Sequence, residues 1–145
     1  MTLDNVVINK AATMERCLKR IDEEYKGFEE EFETNYTKQD SVILNLERLC
    51  QAAIDMAAYL VKINKFGIPQ ENRELFQLLE KNNVISTDLS ENLQAMVGFR
   101  NLAVHDYHTL NLDIVRSIIE KKLNTFQDFS KKALKSTTDR GGGPT

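Results

Sequence analysis

The chain has 145 residues but only two cysteines, two prolines and two histidines. Each scarcity removes a class of protein. Cys17 and Cys50 both fall at apolar positions of helical patterns, so they read as reduced core thiols, not as a disulfide or a catalytic thiol. With prolines only at 69 and 144 and few glycines in the body, little interrupts long helices. No apolar run approaches the roughly 20 residues of a membrane span. The N-terminus lacks a basic-then-apolar leader pattern, so the expected compartment is the cytoplasm. A formal net charge of −3 argues against non-specific nucleic-acid binding over the whole surface. A local basic cleft could still bind RNA. The charge is uneven: Glu23, Glu24, Glu29, Glu30, Glu31 and Glu33 form an acidic stretch, and Lys121, Lys122, Lys131, Lys132 and Lys135 a basic one. Either is ordinarily a solvated surface.

What is present is helical periodicity. Val7, Ala11, Met14, Leu18, Ile21 and Tyr25 follow the alternating 4-3 spacing of one helix face. Leu46, Cys50, Ala53, Ala57 and Leu60 mark a second, long helix over residues 37–64, with Thr37 or Asp40 as its expected N-cap. Phe66-Gly67-Ile68-Pro69 ends it. A short helix surrounds Leu75, Leu78 and Leu79, and Asn82-Asn83 breaks the pattern. Asp88 and Glu91 have capping-box spacing for a fourth helix that runs to His105. Asn111 or Asp113 opens a fifth, with Val115, Ile119, Leu123 and Phe126 on one face. The expected fold is all-α: an antiparallel bundle of four long helices and one short one, residues 1–134. Residues 135–145, polar and glycine-rich, are expected to be a flexible tail.

The chemistry gathers at the end of the fourth helix. On a wheel starting at Leu89, Leu93, Met96, Ala103 and Val104 lie within about 60° of it, forming the apolar face. Arg100 falls at about 20°, inside that face, and Tyr107 nearly on the same line if the helix continues. A guanidinium in an apolar stripe is costly unless it is paired or borders a wet cleft. It bonds a buried carboxylate or helix carbonyls, or it serves a site. Asn101 and His105 share another face, one turn apart. Arg can clamp a phosphate with its fixed fork. His moves protons near neutral pH. Asn101 can hold a phosphate or orient the imidazole. Together these groups can cleave RNA without a metal.

Other enzyme classes lack their parts. His105 and His108 could share an i, i+3 spacing, but no Glu-x-x-His pair or cysteine cluster accompanies them, so no metal or other cofactor is expected. Gly98 stands alone, not in a phosphate-binding glycine loop, and eases helix packing or bending. No nucleophile elbow supports a serine or cysteine hydrolase.

Arg100-x4-His105-x-Tyr107, with Asn101 after the arginine, resembles the signature of HepT toxins in the HEPN superfamily. The likeness spans residues 5–134 and includes the helix order and the Ile68-Pro69 connection. It implies a homodimeric endoribonuclease toxin whose two copies of Arg100 and His105 meet in one cleft. It also implies a partner: a minimal nucleotidyltransferase antitoxin of the MntA type, which silences the toxin by transferring AMP from ATP to Tyr107. Transfer RNA and messenger RNA are both open as substrates. The competing reading is a non-catalytic HEPN module that binds proteins or nucleotides beside a nucleotidyltransferase.

Overall fold

Twenty-nine residues without a glycine or proline, Tyr36–Asn64, form the helix around which the others pack. In a computed structural model that describes residues 4–142, with side chains through residue 137, this is α2. It follows α1 (Asn5–Tyr25) and precedes α3 (Asn72–Lys81) and α4 (Thr87–His105). A 3-10 turn (Tyr107–Thr109) leads to α5 (Leu112–Lys121) and α6 (Asn124–Gly142). Among the described residues there is no strand, and no helix is long and apolar enough to cross a membrane. α2 packs against α1, α3, α4 and α6. Val42, Leu46, Leu49, Met56, Ala57 and Leu60 are fully enclosed there, on more than one side of the helix, as a central helix requires.

The expected α1 stripe is the buried one: Val7, Met14, Cys17, Ile21 and Tyr25 face the core, with Ala11 and Leu18 packed at its edge. Cys17 and Cys50 are free and buried. Two helix starts lie at least two residues earlier than the capping patterns suggest. Asn35, not Thr37 or Asp40, caps α2, its Oδ1 accepting from Lys38 N at 3.1 Å. Ser86, not Asp88, caps α4, its Oγ accepting from Leu89 N at 3.2 Å. Both caps satisfy backbone donors that the first turn leaves open. Asn111 does cap α5.

The expected fifth long helix is two helices. It breaks after Lys121, and α6 restarts at Asn124. Val115 and Ile118 on α5, and Phe126, Phe129 and Ala133 on α6, all reach the core. The bundle therefore has four long helices and two short ones, plus the 3-10 turn. α6 also runs past the expected boundary at residue 134 as far as Gly142, so residues 135–142 carry helical backbone. Thr137 Oγ1 donates back to the carbonyls of Ala133 and Leu134, which keeps a polar residue compatible with the helix. Residues 143–145 lie outside the described residues.

Candidate RNA-cleavage site at the end of helix α4

α4 buries Leu89, Ser90, Leu93, Met96, Val97, Phe99 and Ala103. Val104, expected on that face, is 40% exposed, and Leu102 is 37% exposed. The apolar face rotates away from the wheel because α4 is gripped by α2, α3 and α6 together. The helix stops at His105. Asp106 leaves helical geometry (φ −149°, ψ 54°), and its N–H closes the last turn on Leu102 O at 2.8 Å. Thr109 Oγ1 and Thr109 N both bond Asp106 O, tightening the 3-10 turn that follows.

Arg100 is half-buried, and its Nε is enclosed without a hydrogen-bond partner. No ion pair or hydrogen bond to Arg100 occurs among the described residues, so of its two readings the one with a carboxylate or carbonyl partner is not found there. The guanidinium lies close enough to Cys50 on α2 to oppose burial, which pushes that thiol well above its ordinary range. Asn101 and His105 are exposed, on the other side of the helix. Arg100 and His105 are thus separated by about 140° around α4 and about 7.5 Å along it.

Tyr107 does not line up with Arg100. The wheel projection fails because the chain has already left the helix. The Tyr107 hydroxyl instead donates to Asp40 Oδ1, 67 residues away on α2. Burial, then the Asp40 carboxylate, pushes the phenol up to about 12. Cys50 and Asp40 are ten residues apart, so the levels of α2 beside Arg100 and beside Tyr107 differ by about 15 Å along the axis. His108 stands edge-on to the Tyr107 ring at 6.1 Å. Asp40, the partner of Tyr107, lies outside the stretch from Arg100 to Tyr107 that the sequence singles out. It was legible only as a possible cap, and no local pattern couples it to Tyr107.

A groove between α1 and α2 is lined by Lys10, Arg16, Arg20 and Arg48 against one acid, Asp55. Lys10 pairs with Asp55 at 3.2 Å and Arg20 with Glu24 at 3.8 Å, while Arg16 and Arg48 have no acidic partner within ion-pair distance among the described residues. Among those residues, no group of three or more His, Cys, Asp or Glu is arranged to hold a metal ion.

A family model described as "Ribonuclease HepT-like" matches residues 14–133. The chain is 49% identical over 127 residues to the mRNA nuclease HepT of Shewanella oneidensis, covering 88% of this chain and 95% of that protein. It is similar in structure to a tri-AMPylated Shewanella oneidensis HEPN toxin solved in complex with an MNT antitoxin. The TM-score is 0.86 at 46% identity, over 92% of this chain and 99% of that one. A toxin–antitoxin structure with AMP-PNP gives a TM-score of 0.86 at 46% identity, over 90% and 99% of the two chains.

Proposed function

The chain belongs to the HepT-like ribonuclease family, and from that premise we propose that it is a toxin endoribonuclease that cuts RNA without a metal and is silenced by AMPylation of Tyr107. His105 moves the proton: it takes one from the ribose 2′-hydroxyl as that oxygen attacks phosphorus, or gives one to the departing 5′-oxygen. Arg100 balances the charge that builds on the phosphate, and Asn101 holds the phosphate or orients His105. The observation that carries the reading is Arg100 itself. A half-buried guanidinium with an enclosed, unbonded Nε is held ready for an anion that the described residues do not supply.

One chain offers one His105 and aims it away from Arg100. A homodimer resolves this. Two-fold pairing would bring two imidazoles, one acting as base and one as acid, and two guanidiniums into one cleft. Leu102 and Val104, exposed beside His105, supply apolar surface for such pairing. The unpaired Arg16 and Arg48 of the α1–α2 groove favour a track for the RNA backbone. The name of the Shewanella relative favours messenger RNA as substrate. The partner that AMPylates Tyr107 is a MntA-type nucleotidyltransferase, and both reactions belong in the cytoplasm, where RNA and ATP are available.

The experiment is RNA cleavage in EDTA by the wild type, Arg100→Ala, His105→Ala and a mixture of the two variants, with light scattering for mass. Cleavage by the wild-type dimer, loss in each variant and partial recovery in the mixture are expected. A fully active monomer would contradict the dimer, and an active, folded His105→Ala protein would contradict the mechanism.

A further inference from the structure

The described tyrosines differ in what their hydroxyls meet. Tyr25 donates to Glu120 but is only 5% exposed. Tyr59 is half-buried and donates to Asp4 at 2.8 Å. Tyr36 is 74% exposed, and its hydroxyl has no partner among the described residues. Only Tyr107 combines an exposed side chain with a hydroxyl already directed at a carboxylate. A nucleotide can reach it, and a base is in place.

We propose that Asp40 is the proton acceptor that makes Tyr107 the nucleophile for nucleotidyl transfer, so that the toxin brings the base for its own modification. The proposal rests on the reading of Tyr107 as the AMPylated residue. A neutral phenol is a weak nucleophile at physiological pH. Here the neighbouring carboxylate favours the neutral form further, so the proton has to leave during the attack and not before it. Asp40 Oδ1 lies on that proton's path. A lone pair of Tyr107 Oη attacks the α-phosphorus of ATP, and the bond from that phosphorus to the bridging oxygen of the β-phosphate breaks. Pyrophosphate leaves, and the Oη proton passes to Asp40, which then releases it to water.

The product has a second consequence. Its phenolic oxygen carries no proton to donate, and a phosphodiester anion now faces a carboxylate. The contact that held Tyr107 against α2 becomes repulsive, so the adenylylated side chain turns away from α2.

The test uses the full-length protein with a MntA-type nucleotidyltransferase, radiolabelled ATP and Mg²⁺, with mass spectrometry to locate AMP. Asp40→Asn keeps an oxygen that can accept the tyrosine hydrogen bond but cannot take up the proton. Its rate of labelling should fall on the order of 10²-fold, while its RNA cleavage stays at the wild-type level and reports an intact fold. Asp40→Ala should be equally slow and should recover on addition of formate, a free carboxylate that fits the vacated space. Asp40→Glu should retain part of the rate. Wild-type labelling of Asp40→Asn would overturn the proposal and leave Tyr107 as the modified residue. Slow Asp40→Ala without formate rescue, alongside fast Asp40→Asn, would reduce Asp40 to a clamp. A wild-type protein that takes no AMP on Tyr107 would remove both the proposal and the reading beneath it.

Discussion

Tyr25 and Tyr107 each donate a hydroxyl to a carboxylate far away in sequence, Glu120 on α5 in one case and Asp40 on α2 in the other. The surroundings differ. Tyr25 is enclosed, packs edge-on against Phe32 at 5.2 Å, and shares its hydroxyl with Arg116, which also reaches Glu29 O at 3.0 Å. This cluster fastens α5 and the link between α1 and α2 to the bundle. Tyr107 sits on an exposed 3-10 turn and anchors no core residue. The same donor–acceptor pair is thus structural where packing shuts out other molecules and available to chemistry where solvent reaches it. A hydrogen bond alone does not distinguish the two; burial does.

The sharpest way to break the comparison is at the open end. His105→Ala should lose RNA cleavage by on the order of 10²-fold or more. Its stability should change by no more than about 0.5 kcal/mol, because the side chain is exposed. Gel analysis of cleaved RNA, paired with urea melts, reads both quantities. A large stability loss would mean that the end of α4 is structural after all.

The closed end should show the reverse. Tyr25→Phe removes a hydrogen bond to a charged group and should cost about 1.5–3 kcal/mol in urea unfolding, with RNA cleavage unchanged. Equal stability of Tyr25→Phe and Tyr107→Phe would erase the distinction. Tyr107→Phe should itself fall within about 0.5 kcal/mol of wild type.

Alkaline titration sharpens the comparison further. Tyr25 is raised by burial first and Glu120 second; Tyr107 is raised to about 12 by burial first and Asp40 second. A raised folded-state value means that the native state holds the proton more tightly than the unfolded chain. The stabilisation is complete below about pH 10 and is lost as pH climbs from there toward 12 at Tyr107. In tyrosinate absorbance, Asp40→Asn should bring one phenol down toward 10, and Glu120→Gln should lower a different one. A single shared phenol responding to both variants would contradict the two-site picture.

The smallest expected effect is at the thiols. Burial raises both Cys17 and Cys50, so alkylating reagents at neutral pH should leave them unmodified until the protein unfolds. Rapid labelling of native protein would show that the core beside Arg100 opens.

Local rules reach a long way in this chain. The α1 stripe from Val7 to Tyr25, the stop of α2 at Asn64 just before Phe66, the short helix at Leu75–Leu79 and the end of α4 at His105 all follow from periodicity and breakers, because the backbone reads those within a few residues. Arg100, Asn101, His105 and Tyr107 are also legible as a pattern, since they fall within eight residues of one another. Tertiary structure decided the rest. It split the last helix at residues 122–123, although Val115 and Phe129 would fall only about 40° apart on one straight helix, so their spacing alone does not call for a break. It turned Val104 outward, because three neighbouring helices choose which face of α4 is covered. It left Arg100 without a partner among the described residues and gave Tyr107 one in Asp40. A side chain's partner across 67 residues depends on how α2 and α4 lie together, and no spacing along the chain encodes that distance.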